Sequence, residues 1–489
     1  MPTHYRPDRP NIPIPTGRSS SFASAVPLAV LLSIELVLFL PIVLSGAGGT
    51  SETRDALDYH LPIIEKMRAD WPAVDIVHYE SATAPGFHLL MAAVWRLTGE
   101  PRAMLAVNSL FGVLLISTIY FAARRFAGSW GAFALTMPMV CSPYVLGATI
   151  WLTTDNAALF LVALALGSAT IARTTNARLI FGGFAAAAAV AVRQINVWLA
   201  APLGFAGLIA SPLAAFIPTT LRWKEGDPAA PRRSLASLIV GGIAAALPTA
   251  TLLFFAWKWE WHLLPRATTP EILKHAAGAN PASPAFALAL TGALGMFFLP
   301  FAWGPIRRLR PNDLTAWIAV FLALLIAVAP ETSYLWTETF MPRAYGWLWR
   351  IVEKFPAPME RSIVIAAAAP FGALVLLMLY RAASDAGRRV QAGVLLLSLL
   401  GWLCAQSMNS QAWQRYFEPI ITLGLIWLSA MTVTRIHTDL ARGEPPSAEA
   451  TPTSGNRWLF IGPLALAACQ LGLCAITLYR EVIADLNSR

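Results

Sequence analysis

Long uninterrupted apolar runs constrain this chain more than any other feature. They recur at 27–45, 103–123, 155–172, 235–257, 361–380 and 457–478, among others. A helix of about 20 residues crosses the ~30 Å of hydrocarbon in a bilayer. In lipid each segment must satisfy its own backbone polar groups, and continuous rather than alternating apolar runs select the α-helix for that task. Composition agrees. Of 489 residues, 56% are hydrophobic and 13% charged, about half the charged share of a soluble domain. The fold class is an all-α polytopic membrane protein embedded in a lipid bilayer.

The net charge of +9 would suit a nucleic-acid partner if the cations were clustered on one surface, but they alternate along the chain. Arginines and lysines gather in every second inter-helix segment: Arg6, Arg9 and Arg18; Arg124 and Arg125; Arg173 and Arg178; Arg222, Lys224, Arg232 and Arg233. The series continues with Arg307, Arg308 and Arg310; Arg381, Arg388 and Arg389; and Arg435, Arg442 and Arg457. Such alternation marks cytoplasmic loops, so no nucleic acid is implied.

From a cytoplasmic N-terminus the pattern predicts about 13 transmembrane helices. Their expected bounds are 24–45, 103–123, 128–150, 155–172, 178–195, 198–217, 235–257, 283–304, 313–330, 361–380, 389–407, 416–434 and 457–478. The expected organisation is a cytoplasmic tail 1–23, an N-terminal transmembrane module 24–217, a cytoplasmic loop 218–234, a C-terminal module 235–478 and an outer tail 479–489. The first span lacks a small-residue cleavage site and reads as an uncleaved anchor. The four cysteines, Cys141, Cys404, Cys469 and Cys474, have no metal-ligand spacing and read as buried thiols.

Three outer loops are long: 46–102, 258–282 and 331–360. The last two are rich in Trp and Pro, and 331–360 adds Tyr, Phe and Arg, an aromatic composition that suits helices lying at the headgroup boundary. The first is acidic, with Glu52, Asp55, Asp58, Glu65, Asp70, Asp75, Glu80 and Glu100. A helix beginning near Asp55 would put Asp55, Asp58 and Tyr59 on one face. Pro85-Gly86 then breaks the chain before a second amphipathic stretch, so two surface helices are expected in this loop. Other polar residues collect at outer span ends: Asp155 in "WLTTDNAALF", Arg193, Gln194 and Asn196 in "AVRQINVW", and Arg415, Tyr416 and Glu418 in "QAWQRYFEPI". Each alone reads as a helix end wetted at the interface. All lie on the side of the acidic loop.

These pieces resemble the GT-C superfamily of membrane glycosyltransferases, which use polyprenyl-phosphate-linked sugars. "DALDYHLP" (55–62) is similar to the Asp-x-x-x-Tyr-His-Leu-Pro form of bacterial members. "RQINVW" (193–198), "TTDNA" (153–157) and "TAPGFH" (83–88) resemble segments of the dolichyl-phosphoglucose-dependent α-1,2-glucosyltransferases, over roughly residues 50–200. That family has an Asp-Glu pair where Asp55 and Asp58 stand here.

The resemblance implies transfer of a sugar from a polyprenyl-phosphate donor to a hydroxyl on a glycan, lipid or protein acceptor. Transfer would be inverting and would occur on the extracytoplasmic face, here of a bacterial inner membrane. Asp55 or Asp58 would be the general base, with Glu80 a third candidate. Arg415, or else Arg193, would hold the donor phosphate, because a guanidinium fork pairs with phosphate oxygens and stays charged. Tyr59, His60, His88, Asp155, Gln194, Asn196 and Tyr416 would complete substrate binding. His60 would orient the loop or bond a substrate rather than ligate metal, and a metal-independent reaction without other cofactors is expected. A transporter or flippase of a lipid-linked substrate, and a non-catalytic assembly subunit, are the competing classes. A transporter would bury ionisable groups at the midplane in interrupted, repeat-related helices, a pattern the sequence does not show.

Overall fold

The computed structural model describes residues 21–48, 50–170, 175–218, 233–267, 278–333, 344–433 and 454–488. Of the expected tails and loops, 1–20, 219–232, 268–277, 334–343 and 434–453 lie outside the described residues. Helices make up nearly all regular structure. The exception among the described residues is a short parallel pairing of Ala344–Tyr345 with Ala412–Trp413.

Among the described residues, seven helices are long and apolar enough to cross a membrane, or eight if the bent pair Pro143–Ile150 and Asp155–Thr170 is counted as one span. The expected thirteen is not reached by that measure. Asn176–Val192, Gln194–Ile209 and Leu314–Val328 are apolar but shorter. Breaks explain much of the difference. The expected span 128–150 ends at Val140 and restarts at Pro143, and the next helix leaves at 115°. Pro101–Val140 is itself interrupted at Gly128, whose φ of +73° departs from the helix just after Arg124 and Arg125.

The first outer loop contains the two expected surface helices. One runs from Ser51 to Ala69, and the other is Gly86–Thr98. The first buries Ile63, Ile64 and Met67 against Met91 and Ala92 of the second. Fully burying a side chain such as Ile64 or Met67 contributes about 1.5–3 kcal/mol. Arg68 lies 4.1 Å over the Trp95 ring, and Gly99, at φ +72°, caps the second helix.

Residues Asp55–His60 form a π-helical turn within the first helix. Its wider turn means that i and i+3 no longer share a face. Asp55 is turned inward to its ion pair with Arg415 while Asp58 and Tyr59 are exposed, which corrects the expected common face of the three.

The bundle packs through small residues, as helices in lipid do. Ser283–Gly295 and Ile363–Asp385 meet at Gly292 and Gly372. A Cβ on Gly372 would stand 2.0 Å from the Leu288 carbonyl oxygen, and one on Gly292 would stand 2.5 Å from that of Ala368.

Several of the arginine-bearing loop segments contact one another. At one end Arg308 pairs with Asp385, Arg381 pairs with Asp313, and Arg388 covers Phe126 at 4.7 Å. These contacts join segments 124–127, 305–312 and 381–388. Elsewhere the acidic loop meets Arg415 through Asp55 and Gln194 through Ala84, while Asp155 pairs with Arg193 and Gln194 bonds the Leu263 carbonyl. Cys141 and Cys474 are buried as expected, but Cys404 and Cys469 are exposed, because their helices turn those faces away from the bundle.

Candidate active site

The arrangement begins with the π turn. Asp55 points beneath the loop and forms an ion pair with Arg415, the second residue of the helix Gln414–Thr432. Both side chains are largely withdrawn from solvent, at 18% and 11% exposure. The same guanidinium donates to the Tyr416 hydroxyl at 2.9 Å and lies over the Trp413 and Tyr416 rings. Its Nε–H is buried without a partner.

A second pair stands beside the first. Arg193 is in extended conformation, where Asn176–Val192 ends and a short 3-10 turn begins. It donates to Asp155 at 2.6 Å. Asp155 opens the helix Asp155–Thr170, where a carboxylate is favoured by the helix dipole. The Arg193 guanidinium is 4.9 Å from the Tyr416 ring centre, the distance at which Arg415 also meets it. One ring thus lies within reach of two cations, each bonded to its own carboxylate.

Asp155, Arg193, Arg415 and Tyr416 line the charged end of a narrow cleft of about 70 Å3, and Asp55 reaches it through Arg415. Glu52, Asp155, Arg193, Asn196, Gln406 and Arg415 line the polar part. From there an apolar slot is lined by Ala158, Leu159 and Val162 on one helix and by Pro419 and Ile420 on another. Their i, i+3/i+4, i+7 spacing from Asp155 and from Tyr416 keeps each set on one helix face. The cleft therefore combines a cationic, hydrogen-bonding end with an apolar channel between helices, a shape that suits an anionic amphiphile.

Of the sequence-predicted residues, Asp55, Asp155, Arg193, Asn196, Arg415 and Tyr416 are brought together here. Asp58, Tyr59 and Glu80 are not; they are exposed on the outer surface. Gln194 is occupied with structure. Its side chain accepts from the Ala84 N–H at 3.0 Å and donates to the Ala82 and Leu263 carbonyls, each at 3.0 Å, stapling two outer loops.

His60 and His88 lie behind the turn. Nδ1 of His60 and Nε2 of His88 are 3.0 Å apart, and Phe87 packs edge-on to both rings. Burial pushes the His60 pKa down to about 4, against the opposing pull of Asp55, and burial beside His60 lowers that of His88 as well. The two imidazoles are thus a neutral hydrogen-bonded pair supporting the loop. Neither lines the cleft.

Two participants were not selected from sequence. Glu52, one turn before Asp55, lines the cleft; among eight loop acids nothing in its neighbours marks it out. Gln406 also lines it, and its Nε2 is buried without a partner. The polar stretch "QSMNSQ" (406–411) after an apolar span was the available signal.

Glu418 is fully buried, not a wetted helix end. It accepts hydrogen bonds from Ser142 and Gln470 at 3.0 Å on one oxygen, and from Trp347 at 3.0 Å and Gln414 at 2.7 Å on the other. Among the described residues, no group of three or more His, Cys, Asp or Glu stands where it could hold a metal ion.

No family model matches the chain, and no curated protein matches it. Similar solved structures include the Archaeoglobus fulgidus oligosaccharyltransferase in the apo form, at 14% identity and a TM-score of 0.47 over 92% of this chain. The same oligosaccharyltransferase, AglB, in complex with an inhibitory peptide and a dolichol-phosphate matches at the same identity and TM-score. This chain spans about half of those structures, 56% of their length. ArnT from Cupriavidus metallidurans bound to undecaprenyl phosphate is similar at 14% identity and a TM-score of 0.35, over 85% of this chain and 79% of that one.

Proposed function

We propose that the protein is a membrane glycosyltransferase of the GT-C type. It moves a sugar from a polyprenyl-phosphate donor to a hydroxyl acceptor at the extracytoplasmic face of a bacterial inner membrane. The observation that carries this reading is the convergence of Asp55 and Arg415 with Asp155 and Arg193 at the head of an apolar slot. The apolar lining is placed to receive the first part of a prenyl tail, whose phosphate would then meet two guanidinium groups.

Both cations already hold carboxylates, so a donor phosphate must compete with them. In this mechanism Arg415 turns from Asp55 to the phosphate, using the fork geometry that suits phosphate oxygens. The exchange neutralises the donor and releases Asp55 to accept a proton. The acceptor oxygen then attacks the anomeric carbon from the face opposite the phosphate and inverts it. The C–O bond to phosphate breaks, its electron pair leaves with the phosphate, and Asp55 takes the hydroxyl proton. General-base help of this kind is worth ~10²–10⁴ in rate. Arg415 and Arg193 meet the charge developing on the leaving oxygen, often the largest catalytic contribution. No divalent ion is assigned a part.

The test uses the protein in liposomes with undecaprenyl-phosphate sugars and a total envelope extract as acceptor, with and without a chelator. Transfer that survives chelation supports the whole reading. Chelator-sensitive transfer would remove the metal-free step alone. Movement of the intact donor across the bilayer without bond cleavage would replace a transferase by a transporter.

A further inference from the structure

A second cleft, of about 170 Å3, opens on the other side of Glu52 and Tyr144. Those two residues line both clefts and form the partition between them. The far wall comes from the segment Tyr345–Arg350 and from the last helical stretch, at Thr477, Arg480 and Glu481.

The segment is firmly held. Ala344–Tyr345 pairs with Ala412–Trp413, the Leu348 N–H donates to Gln414 at 3.0 Å, and the Trp349 indole donates to the Ala412 carbonyl at 2.8 Å. The Trp349 ring stacks on Phe286 in the core at 4.6 Å. The Trp347 N–H meets the Tyr144 hydroxyl. The cleft is therefore preformed, and its aromatic wall is fixed in place.

Its chemistry differs from that of the first cleft. Tyr144, Tyr345 and Trp347 line it with aromatic rings, the kind of surface that packs on a sugar ring. The Trp347 indole N–H is held by Glu418, which leaves the two tyrosine hydroxyls as the polar tips that could bond sugar hydroxyls. Arg350 and Arg480 are balanced by Glu52 and Glu481. A site for an anion would carry an excess of cations, whereas balanced charge beside aromatic faces favours a neutral ligand rich in hydroxyl groups. An apolar slot leads away from the donor phosphate position on one side of the partition, and this cleft lies on the other. In a transferase the acceptor must reach the anomeric carbon from the side opposite the leaving phosphate.

We propose that the second cleft is the acceptor site and that it receives a neutral, hydroxyl-rich glycan across the Glu52–Tyr144 partition. This rests on the transferase reading and adds to it the route and the class of the acceptor. The acceptor oxygen forms its bond to the anomeric carbon at the partition and gives its proton to Asp55, while the bond to the donor phosphate breaks and the phosphate departs into the first cleft with the electron pair.

The test measures saturation transfer by NMR from the full chain in lipid nanodiscs to short neutral hexose oligosaccharides. Undecaprenyl-phosphate affinity is measured separately on the same preparations. Thr477→Trp narrows the cleft from its outer wall, and Tyr345→Ala removes a ring face that Tyr345→Phe restores. Thermal melts identify any variant that fails to fold. Both cleft variants should weaken oligosaccharide binding roughly tenfold, about 1.4 kcal/mol, with undecaprenyl-phosphate affinity unchanged. No saturation transfer to any oligosaccharide in the wild type, or equal binding by Thr477→Trp, overturns the acceptor site. Oligosaccharide binding that follows this pattern in a protein shown to leave the donor bond intact would overturn the transferase reading alone.

Discussion

The Arg415 guanidinium closes on the carboxylate of Asp55, 360 residues earlier in the chain. The pair fastens the acidic first loop to the start of a late helix and gives the two aspartates of "DALDYHLP" different tasks. Asp55→Asn should lower kcat by ~10² or more while donor affinity holds or rises, because the phosphate no longer competes with that carboxylate for Arg415. Asp58→Asn, by contrast, should transfer at close to the wild-type rate. Single-turnover transfer by the two variants side by side checks this. A dead Asp58→Asn beside an active Asp55→Asn would move the role three residues along. Glu52→Gln belongs in the same series, and loss of activity there alone would name Glu52 as the base.

Arg415→Lys keeps the charge but not the fork, and it cannot reach Asp55, the Tyr416 hydroxyl and a phosphate with the same geometry. Undecaprenyl-phosphate affinity should fall roughly tenfold, about 1.4 kcal/mol. Wild-type turnover and donor KM in this variant would show that Arg415 only fastens the loop.

The His60 imidazole is held by burial near a pKa of 4, below its ordinary 6.5. Between those values the unfolded chain binds a proton that the folded chain refuses. Stability should therefore fall as pH drops from 6.5 towards 4 and should gain no further loss from this group below that. His60→Gln, which can still bond His88, should show a shallower dependence of melting temperature on pH in the same window. Identical slopes in the two proteins would dismiss His60 as the source.

Gly372→Ala puts a methyl group 2.0 Å from the Leu288 carbonyl oxygen, which is backbone and cannot rotate away. The two helices must separate, at a cost of roughly 1–3 kcal/mol. Gly401→Ala, where a Cβ meets nothing within 4 Å, is the control. A melting temperature for Gly372→Ala equal to that of the control would mean the helices are less closely packed than described.

Helix positions were legible because long apolar runs admit little else in lipid, and most expected spans coincide with a helix. The break at Arg193 was legible too, since "RQIN" interrupts an alanine-rich run. The π turn was not. The sequence "DALDYH" is compatible with an ordinary α-helix, and its wider turn is selected by contacts that Asp55 makes with a residue far along the chain. The polar residues at span ends could be assigned to one side of the membrane by charge alternation alone. That Asp155 and Arg193 would bond each other, while Glu80 and Asp58 stayed outside, depends on how helices pack side by side, and small-residue contacts such as Gly292 with Gly372 do not encode that in a single sequence.

Glu418 receives four hydrogen bonds, about as many as a carboxylate has lone-pair sites, from residues 142, 347, 414 and 470. It has no capacity left for traffic with a ligand, so its contribution is mechanical. The turn before Pro143, the segment at Trp347, the start of the Arg415 helix and the last transmembrane stretch are clamped into one body. Three sides of the second cleft belong to that body. The remaining side is the first-loop turn at Thr50 and Glu52, which Glu418 does not hold. Passage of a bulky molecule must therefore displace the first loop, and the ion pair that fastens this loop, between Asp55 and Arg415, is the one a donor phosphate would unlock.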